Sequence, residues 1–165
     1  VDSATGYPVV SSGSGAPEGG DEPTETTKVE VEFATYGPDQ KWVDANSYTG
    51  FVIDRVTFTA TWNEGGSANG ISYQTNTAPG DWRFYQARGG GMTLSVPEDR
   101  KLVKVTFTYN NKNDGVLIAP DGTTKINSGE EFKLSGSSAT FTVASNSAGI
   151  TNAQARVMKI SIEYK

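Results

Sequence analysis

From Lys28 onward the chain alternates apolar and polar side chains at every second position. Val29, Val31 and Phe33 stand against Lys28, Glu30 and Glu32, and Val56, Phe58, Ala60 and Trp62 stand against Thr57, Thr59 and Thr61. Successive side chains of a strand point to opposite faces, so this pattern makes one core-facing and one solvent-facing surface. The alternation returns at Met92, Leu94 and Val96 and, past the turn signal Pro97-Glu98-Asp99, at Val103, Val105, Phe107 and Tyr109. Phe132 with Leu134, Phe141 with Val143, and Ile160, Ile162 and Tyr164 complete the series. Residues 116–119 and 123–126 flank Pro120-Asp121-Gly122. Proline presets φ and glycine accepts a positive φ, which predicts a tight hairpin there. No window carries a convincing helical period. About nine short strands, with turn chemistry every ~8–12 residues, predict an all-β fold: an antiparallel, jelly-roll-like β-sandwich. The run KLVKVTFTY at 101–109 is echoed by RVMKISIEY at 156–164 and more faintly by DRVTFT at 54–59. The spacings are unequal, so the echo reflects strands meeting the same demand and not a solenoid.

Composition divides the chain in two. Residues 11–27 read SSGSGAPEGGDEPTETT, nearly without apolar side chains. Such a segment cannot bury enough surface to offset its ordering entropy. The sequence therefore predicts a flexible tether over 1–27 and one β-sandwich domain over 28–165. The net charge of −5 argues against nucleic acid as a partner, since phosphate recognition needs a clustered positive surface. No apolar run approaches the ~18 residues of a membrane span. The chain has no Cys and no His. This excludes disulfides, thiol nucleophiles, Ser-His-Asp relays and imidazole metal ligands together.

Several segments resemble a known group of exported proteins. Trp82-Arg83-Phe84-Tyr85, the glycine-rich turn after it, Met92-Thr93-Leu94-Ser95-Val96, the strand 101–109 and the closing strand 156–164 are similar to β-sandwich (jelly-roll) domains of Bacteroidetes surface lipoproteins. Those domains are built like carbohydrate-binding modules. The resemblance spans residues 51–165 and implies export, an extracytoplasmic or surface setting, a lipid anchor upstream of Val1, and contact with glycans.

The residues themselves allow the same chemistry. Sugar recognition uses aromatic faces against C–H groups, with amides, carboxylates or guanidinium groups on the hydroxyls. Residues 62–88 hold Trp62, Tyr73, Trp82, Phe84 and Tyr85 beside Asn69, Arg83 and Arg88, among other polar groups. Strand alternation over 82–86 puts Trp82, Phe84 and Gln86 on one face and Arg83 and Tyr85 on the other. If Trp82 and Phe84 face the core, then Arg83 and Tyr85 point outward with Arg88 beyond. Large aromatics commonly fill sandwich cores, which is the competing reading for Trp62 and Trp82. Trp42, in the polar stretch 37–50, is either an exposed platform or a plug at one end. The candidate ligand-binding residues are thus Trp42, Trp62, Asn69, Tyr73, Trp82, Arg83, Tyr85 and Arg88.

Catalytic and metal chemistry is less well supported. Gly65-Gly66 and Gly89-Gly90-Gly91 lack the Lys-Ser/Thr and following helix of a phosphate loop and read as turns or bulges. The stretch 110–115, NNKNDG, puts Lys112 where a calcium loop needs a ligand, so it reads as a turn. No cofactor is expected, although a structural Ca²⁺ on loop carbonyls stays compatible with the sequence. Asp39, Asp44, Asp54, Glu64 and Asp81 are the acids near the aromatics, but any acidic chain offers such pairs. The expectation is a non-catalytic surface module contacting carbohydrate. The alternatives are a structural or protein-contact domain and, third, a small glycosidase.

Overall fold

A computed structural model describes residues 25–63, 70–75, 80–110 and 112–165. Most of the expected tether, residues 1–24, lies outside them. Twelve strands form among the described residues, against about nine expected: β1 (Thr27–Glu32), β2 (Gly50–Ile53), β3 (Val56–Thr61), β4 (Ile71–Gln74), β5 (Asp81–Tyr85), β6 (Gly91–Ser95), β7 (Leu102–Tyr109), β8 (Gly115–Ile118), β9 (Lys125–Ile126), β10 (Glu131–Lys133), β11 (Ser138–Ser145) and β12 (Gln154–Tyr164). They make two antiparallel sheets. Sheet I runs β10-β7-β12-β5-β4, with β1 also on β12, and sheet II runs β2-β3-β6-β11-β8-β9. The long β12 keeps β7 along one edge. Beside it on the other lie β1, opposite residues 159–164, and β5, opposite 154–157.

The sandwich closes because the apolar members of each alternation meet between the sheets. Val105, Phe107, Val157, Ile160 and Ile162 from sheet I share one core with Phe58, Met92, Leu94, Leu117 and Phe141 from sheet II. Phe107 meets Phe141 edge-to-face across the gap at 5.2 Å. Each such covered side chain contributes roughly 1.5–3 kcal/mol relative to leaving it in water. The echoed strands β7 and β12 are antiparallel neighbours, with Val105 opposite Ile162. Their closing tyrosines consequently lie at opposite ends of the sheet and tie it to sheet II. The Tyr109 hydroxyl donates to the Ile126 carbonyl (3.0 Å) and accepts from the Leu117 N–H (3.1 Å). Burial pushes this phenol up from its ordinary pKa. The Tyr164 hydroxyl donates to Asp54 in the β2–β3 turn at 2.8 Å.

The 120–122 hairpin forms as expected between β8 and β9. Gly122 has φ +76°, and its N–H donates to the Ala119 carbonyl at 2.9 Å. The Asp121 carboxylate accepts from the N–H groups of Thr123 and Thr124, both at 2.8 Å. These donors, with the Thr124 hydroxyl leading, hold Asp121 down at about 2. Asp114, in the former calcium-like stretch, is likewise a turn residue. It accepts from the Ser145 hydroxyl and from the Ser147 N–H at 2.8 Å, which lowers its pKa. Asn113 accepts from the Gln154 N–H at 2.6 Å. Among the described residues no cluster of three acids, His or Cys could hold a metal.

One element departs from the expected polar stretch. Phe33–Asp39 is a short helix, α1, between β1 and β2. Phe33 and Tyr36 fall on one helical face and both join the core, which stabilises a helix too short to stand by propensity. Gly37 lets the Tyr73 ring seat on this helix, since a Cβ there would overlap the Tyr73 hydroxyl.

Candidate functional site

The outer face of sheet I at β4 and β5 gathers most of the polar residues that the sequence singles out. In β5 Trp82 and Phe84 are fully covered and face the core. This leaves Asp81, Arg83 and Tyr85 on the other face by strand geometry. Across from them β4 presents Ser72 and Gln74, and β12 presents Gln154 and Arg156. The register pairs Ser72 with Arg83, Gln74 with Asp81, Arg156 with Arg83 and Gln154 with Tyr85. After Tyr85 the strand ends in a 3-10 turn over Gln86–Arg88. Gln86 therefore does not continue the inward face; it clamps Ala153, with its N–H donating to the Ala153 carbonyl (2.9 Å) and its side-chain oxygen accepting from the Ala153 N–H (3.2 Å). Gly89 closes this turn in the left-handed region at φ +63°. The glycine stretch 89–91 is a turn leading into β6, as expected.

A depression of about 310 Å³ opens here, lined by Ala45, Ser47, Ser72, Gln74, Tyr85 and Arg88 together with Ile71. Its rim is held in place from three sides. The Ala45 N–H donates to the Tyr73 carbonyl and the Tyr73 N–H to the Asn46 carbonyl, both at 2.9 Å. The Ser47 hydroxyl donates to the Ile71 carbonyl at 2.8 Å. Asp44 accepts from the Thr75 N–H at 2.5 Å and from its hydroxyl at 2.6 Å and 2.7 Å. Inside the depression the Gln74 amide donates to the Ser72 hydroxyl at 2.8 Å. Arg88 is exposed and Tyr85 half-buried. Segment 62–63 runs alongside, because the Asn63 N–H donates to the Arg88 carbonyl at 3.1 Å. Half-buried Trp62 thus stands beside the same turn.

Next to the depression Asp81 and Arg83 form a covered ion pair, with side chains 0% and 8% exposed and Nε to Oδ1 at 2.5 Å. A second contact joins Nη2 to Oδ2 at 3.3 Å, making the pair bidentate. Arg156 Nε donates to the Gln154 side chain at 3.1 Å. Burial, and then the nearby Arg83, lower the Arg156 pKa. Arg83, Arg88 and Arg156 thus gather at this end of sheet I together with the carboxylates of Asp81 and Asp44.

The sequence candidates sort accordingly. Tyr85 and Arg88 line the depression, and Trp62 stands beside the turn that carries Arg88. Arg83 lies beside it, turned to the outer face as expected, but it is committed to Asp81. Trp82 and Tyr73 are wholly covered, which corrects their assignment as ligand contacts: their ring area is spent in the core. Trp42 is half-buried and fills one end of the sandwich. It stacks on Tyr48 at 4.2 Å and lies near-parallel to Phe33 at 6.0 Å, so the plug reading is the one realised. Asn69 lies outside the described residues, as do Glu64 and Gly65-Gly66. Of the candidate acids, Asp81 is paired, Asp44 is bound to Thr75 and Asp54 accepts from Tyr164. The sequence reading passed over Ser47 and Ser72. Only the backbone pairing of 45–46 with β4 brings Ser47 there, while Ser72 was signalled by its place between Ile71 and Tyr73.

Among the described residues no helix is long and apolar enough to cross a membrane. No family model matches the chain, and neither a curated protein nor a solved structure does.

Proposed function

We propose that this is a non-catalytic, extracytoplasmic binding module whose ligand is a carbohydrate, held in the Ser72–Gln74–Tyr85–Arg88 depression. The supporting observation is the convergence there of a half-buried phenol ring, a guanidinium, an amide and two hydroxyls on a rim fixed by backbone hydrogen bonds. A pyranose would present its C–H face to the aromatic ring while its hydroxyls exchange hydrogen bonds with the polar side chains. At about 310 Å³ the depression lies at the lower end of the roughly 300–1,000 Å³ of small-ligand pockets. Surface presentation and an upstream lipid anchor follow from the resemblance to exported lipoprotein domains, and they belong to the same proposal.

Isothermal titration against neutral and uronate-containing oligosaccharides tests the reading, with Tyr85→Ala and Arg88→Ala as variants and Thr140→Ala, on the other sheet, as control. Saturable binding that weakens roughly tenfold or more in Tyr85→Ala and is kept in the control is the expected result. No binding across the panel, or binding indifferent to both variants, overturns it. A second reading, a structural or protein-contact module, is favoured by a different observation: β2 carries no charge and, among the described residues, pairs on one side only.

A further inference from the structure

At the edge of sheet I opposite the depression, lysines are set against lysines. The β10–β7 register puts Lys133 directly across from Lys104. Just beyond, Lys101 and Lys165 exchange both backbone hydrogen bonds, at 2.8 Å and 2.9 Å, so they too stand side by side. Like charges directly opposite one another destabilise a sheet, and here two such pairs adjoin. Lys104 is held by Glu131 at 3.0 Å and Glu163 at 3.3 Å. Exposed Lys133 has no ion pair among the described residues. The four lysines line one depression of about 620 Å³, within the roughly 300–1,000 Å³ of small-ligand pockets. Its apolar part comes from a break in strand alternation. Glu163 pairs with Lys104 and Tyr164 with Leu102, so Val103 is an extra residue in β7. The bulge leaves Val103 and Lys104 half-exposed in succession, which is how a bulge re-aims a side chain. Half-buried Leu134 lies alongside, its N–H donating to the Val103 carbonyl at 2.8 Å. Both apolar residues line the depression.

We propose that this depression is a second ligand site, for a small amphipathic anion: a single carboxylate head on an apolar chain. Charge complementarity selects the head. An anion beside Lys133 relieves the repulsion within the Lys104–Lys133 row, and a charge-assisted hydrogen bond to an ammonium group is among the stronger polar contacts. Val103 and Leu134 select the chain, because their apolar surface gains by leaving water. Glu131 and Glu163 select a single head, since both lie in the same lining on either side of Lys104. A ligand charged along its length, such as a uronate polymer or an acidic peptide, would meet those carboxylates as well as the lysines. The site lies on the β10–β7 side of sheet I, whereas the Ser72–Gln74–Tyr85–Arg88 depression lies at β4–β5. It therefore stands apart from the carbohydrate reading.

Octanoate is the probe, titrated by calorimetry into the full chain below the concentration at which it aggregates. Acetate, the head alone, and octanol, the chain alone, are the comparisons. The expected result is saturable octanoate binding, tighter than that of either comparison. It should weaken about tenfold in Lys133→Gln and in Val103→Ser and stay unchanged in Arg88→Ala. Thermal melts give a second readout. Without octanoate, Lys133→Gln should melt no lower than the wild type, because it removes one charge of a like-charged row. Octanoate should then raise the melting temperature of the wild type and not of that variant. No octanoate binding overturns the inference. So does acetate or octanol binding as tightly, or octanoate binding indifferent to both Lys133→Gln and Val103→Ser. A Lys133→Gln chain that melts well below the wild type also overturns it, since Lys133 would then have a structural partner. None of these readouts involves sugar, so this inference and the carbohydrate reading fail separately.

Discussion

The outer faces of the two sheets are made of different chemistry. Sheet I presents charge. Lys28 pairs with Glu30 at 2.9 Å, Lys159 with the same Glu30 at 3.5 Å, and Lys104 bridges Glu131 at 3.0 Å and Glu163 at 3.3 Å. Sheet II presents hydroxyls. Its central rows set Thr57, Ser95 and Ser138 side by side, and then Thr59, Thr93 and Thr140, with Thr93 and Thr140 bonded to each other at 2.8 Å. Both faces satisfy the same rule, polar outward and apolar inward, and both use β-compatible residues. They differ in what they do to a partner. A lattice of alternating charge satisfies itself and discourages edge pairing, whereas a neutral face and edge do neither. The Ser72–Gln74–Tyr85–Arg88 depression sits at the end of the charged sheet, where the ion lattice gives way to arginines. The β2 edge, paired on one side only among the described residues, sits on the neutral sheet.

The sharpest way to break this contrast is at the one covered charge pair. Asp81→Ala leaves Arg83 in a covered site without its carboxylate, and the expected loss is about 3–5 kcal/mol in urea unfolding. Asp81→Ala with Arg83→Met should recover much of it, since removing both charges costs less than orphaning one. If the single variant unfolds at the wild-type midpoint, the pair is not holding that end of sheet I.

A smaller effect is expected at Asp121, an anion of sheet II that serves a turn and not an ion lattice. Its folded-state pKa of about 2 lies below the unfolded value of 3.8. The stability it contributes is therefore fully present above the unfolded pKa and is lost as the pH falls through the folded one. Between pH ~4 and ~2 the wild type should lose stability more steeply than Asp121→Ala, while above that window the wild type stays ahead by a constant margin. Thermal melts across the window check it, and parallel curves would refute the assignment.

The smallest effects distinguish the two faces directly. Lys104→Ala should be destabilising at low salt and lose that effect in molar salt, because the exposed ion pairs it breaks are screened. Thr140→Ala should change stability by less than ~1 kcal/mol with no dependence on salt. Equal salt responses in the two variants would mean that the faces do not differ electrostatically.

Legibility in the sequence followed the same physics. β1, β3, β6, β7, β11 and β12 were visible because each alternates over several residues, and 120–122 because proline and glycine fix the turn. β2 and β4 were not. GFVI does not alternate, and ISYQ is short, with Ser72 covered on what would have been its polar side. The helix α1 was invisible because FATYGPD contains glycine and proline, and packing of Phe33 and Tyr36, not propensity, forms it. At the site, the outward turn of Arg83 and Tyr85 was conditional on Trp82 facing the core, and the structure supplies that condition. The Asp81–Arg83 pair was present in the two-residue spacing that puts both on one face. Ser47 was not, since its place depends on backbone bonds to β4.

The sequence by itself determined that the alternating strands exist, which side chains each of them sends inward, and how much charge each sends outward, because the two-residue period of the pleat links those choices locally. Only the tertiary structure decided which strands share a sheet. Pairing joins residues far apart in the chain, as with β1 and β12, and nothing local specifies it. That sorting collected the charged strands into sheet I and the hydroxyl-bearing ones into sheet II. It also buried Trp82 and Tyr73, set Tyr85 and Arg88 at the depression, and put β2 at the edge of sheet II.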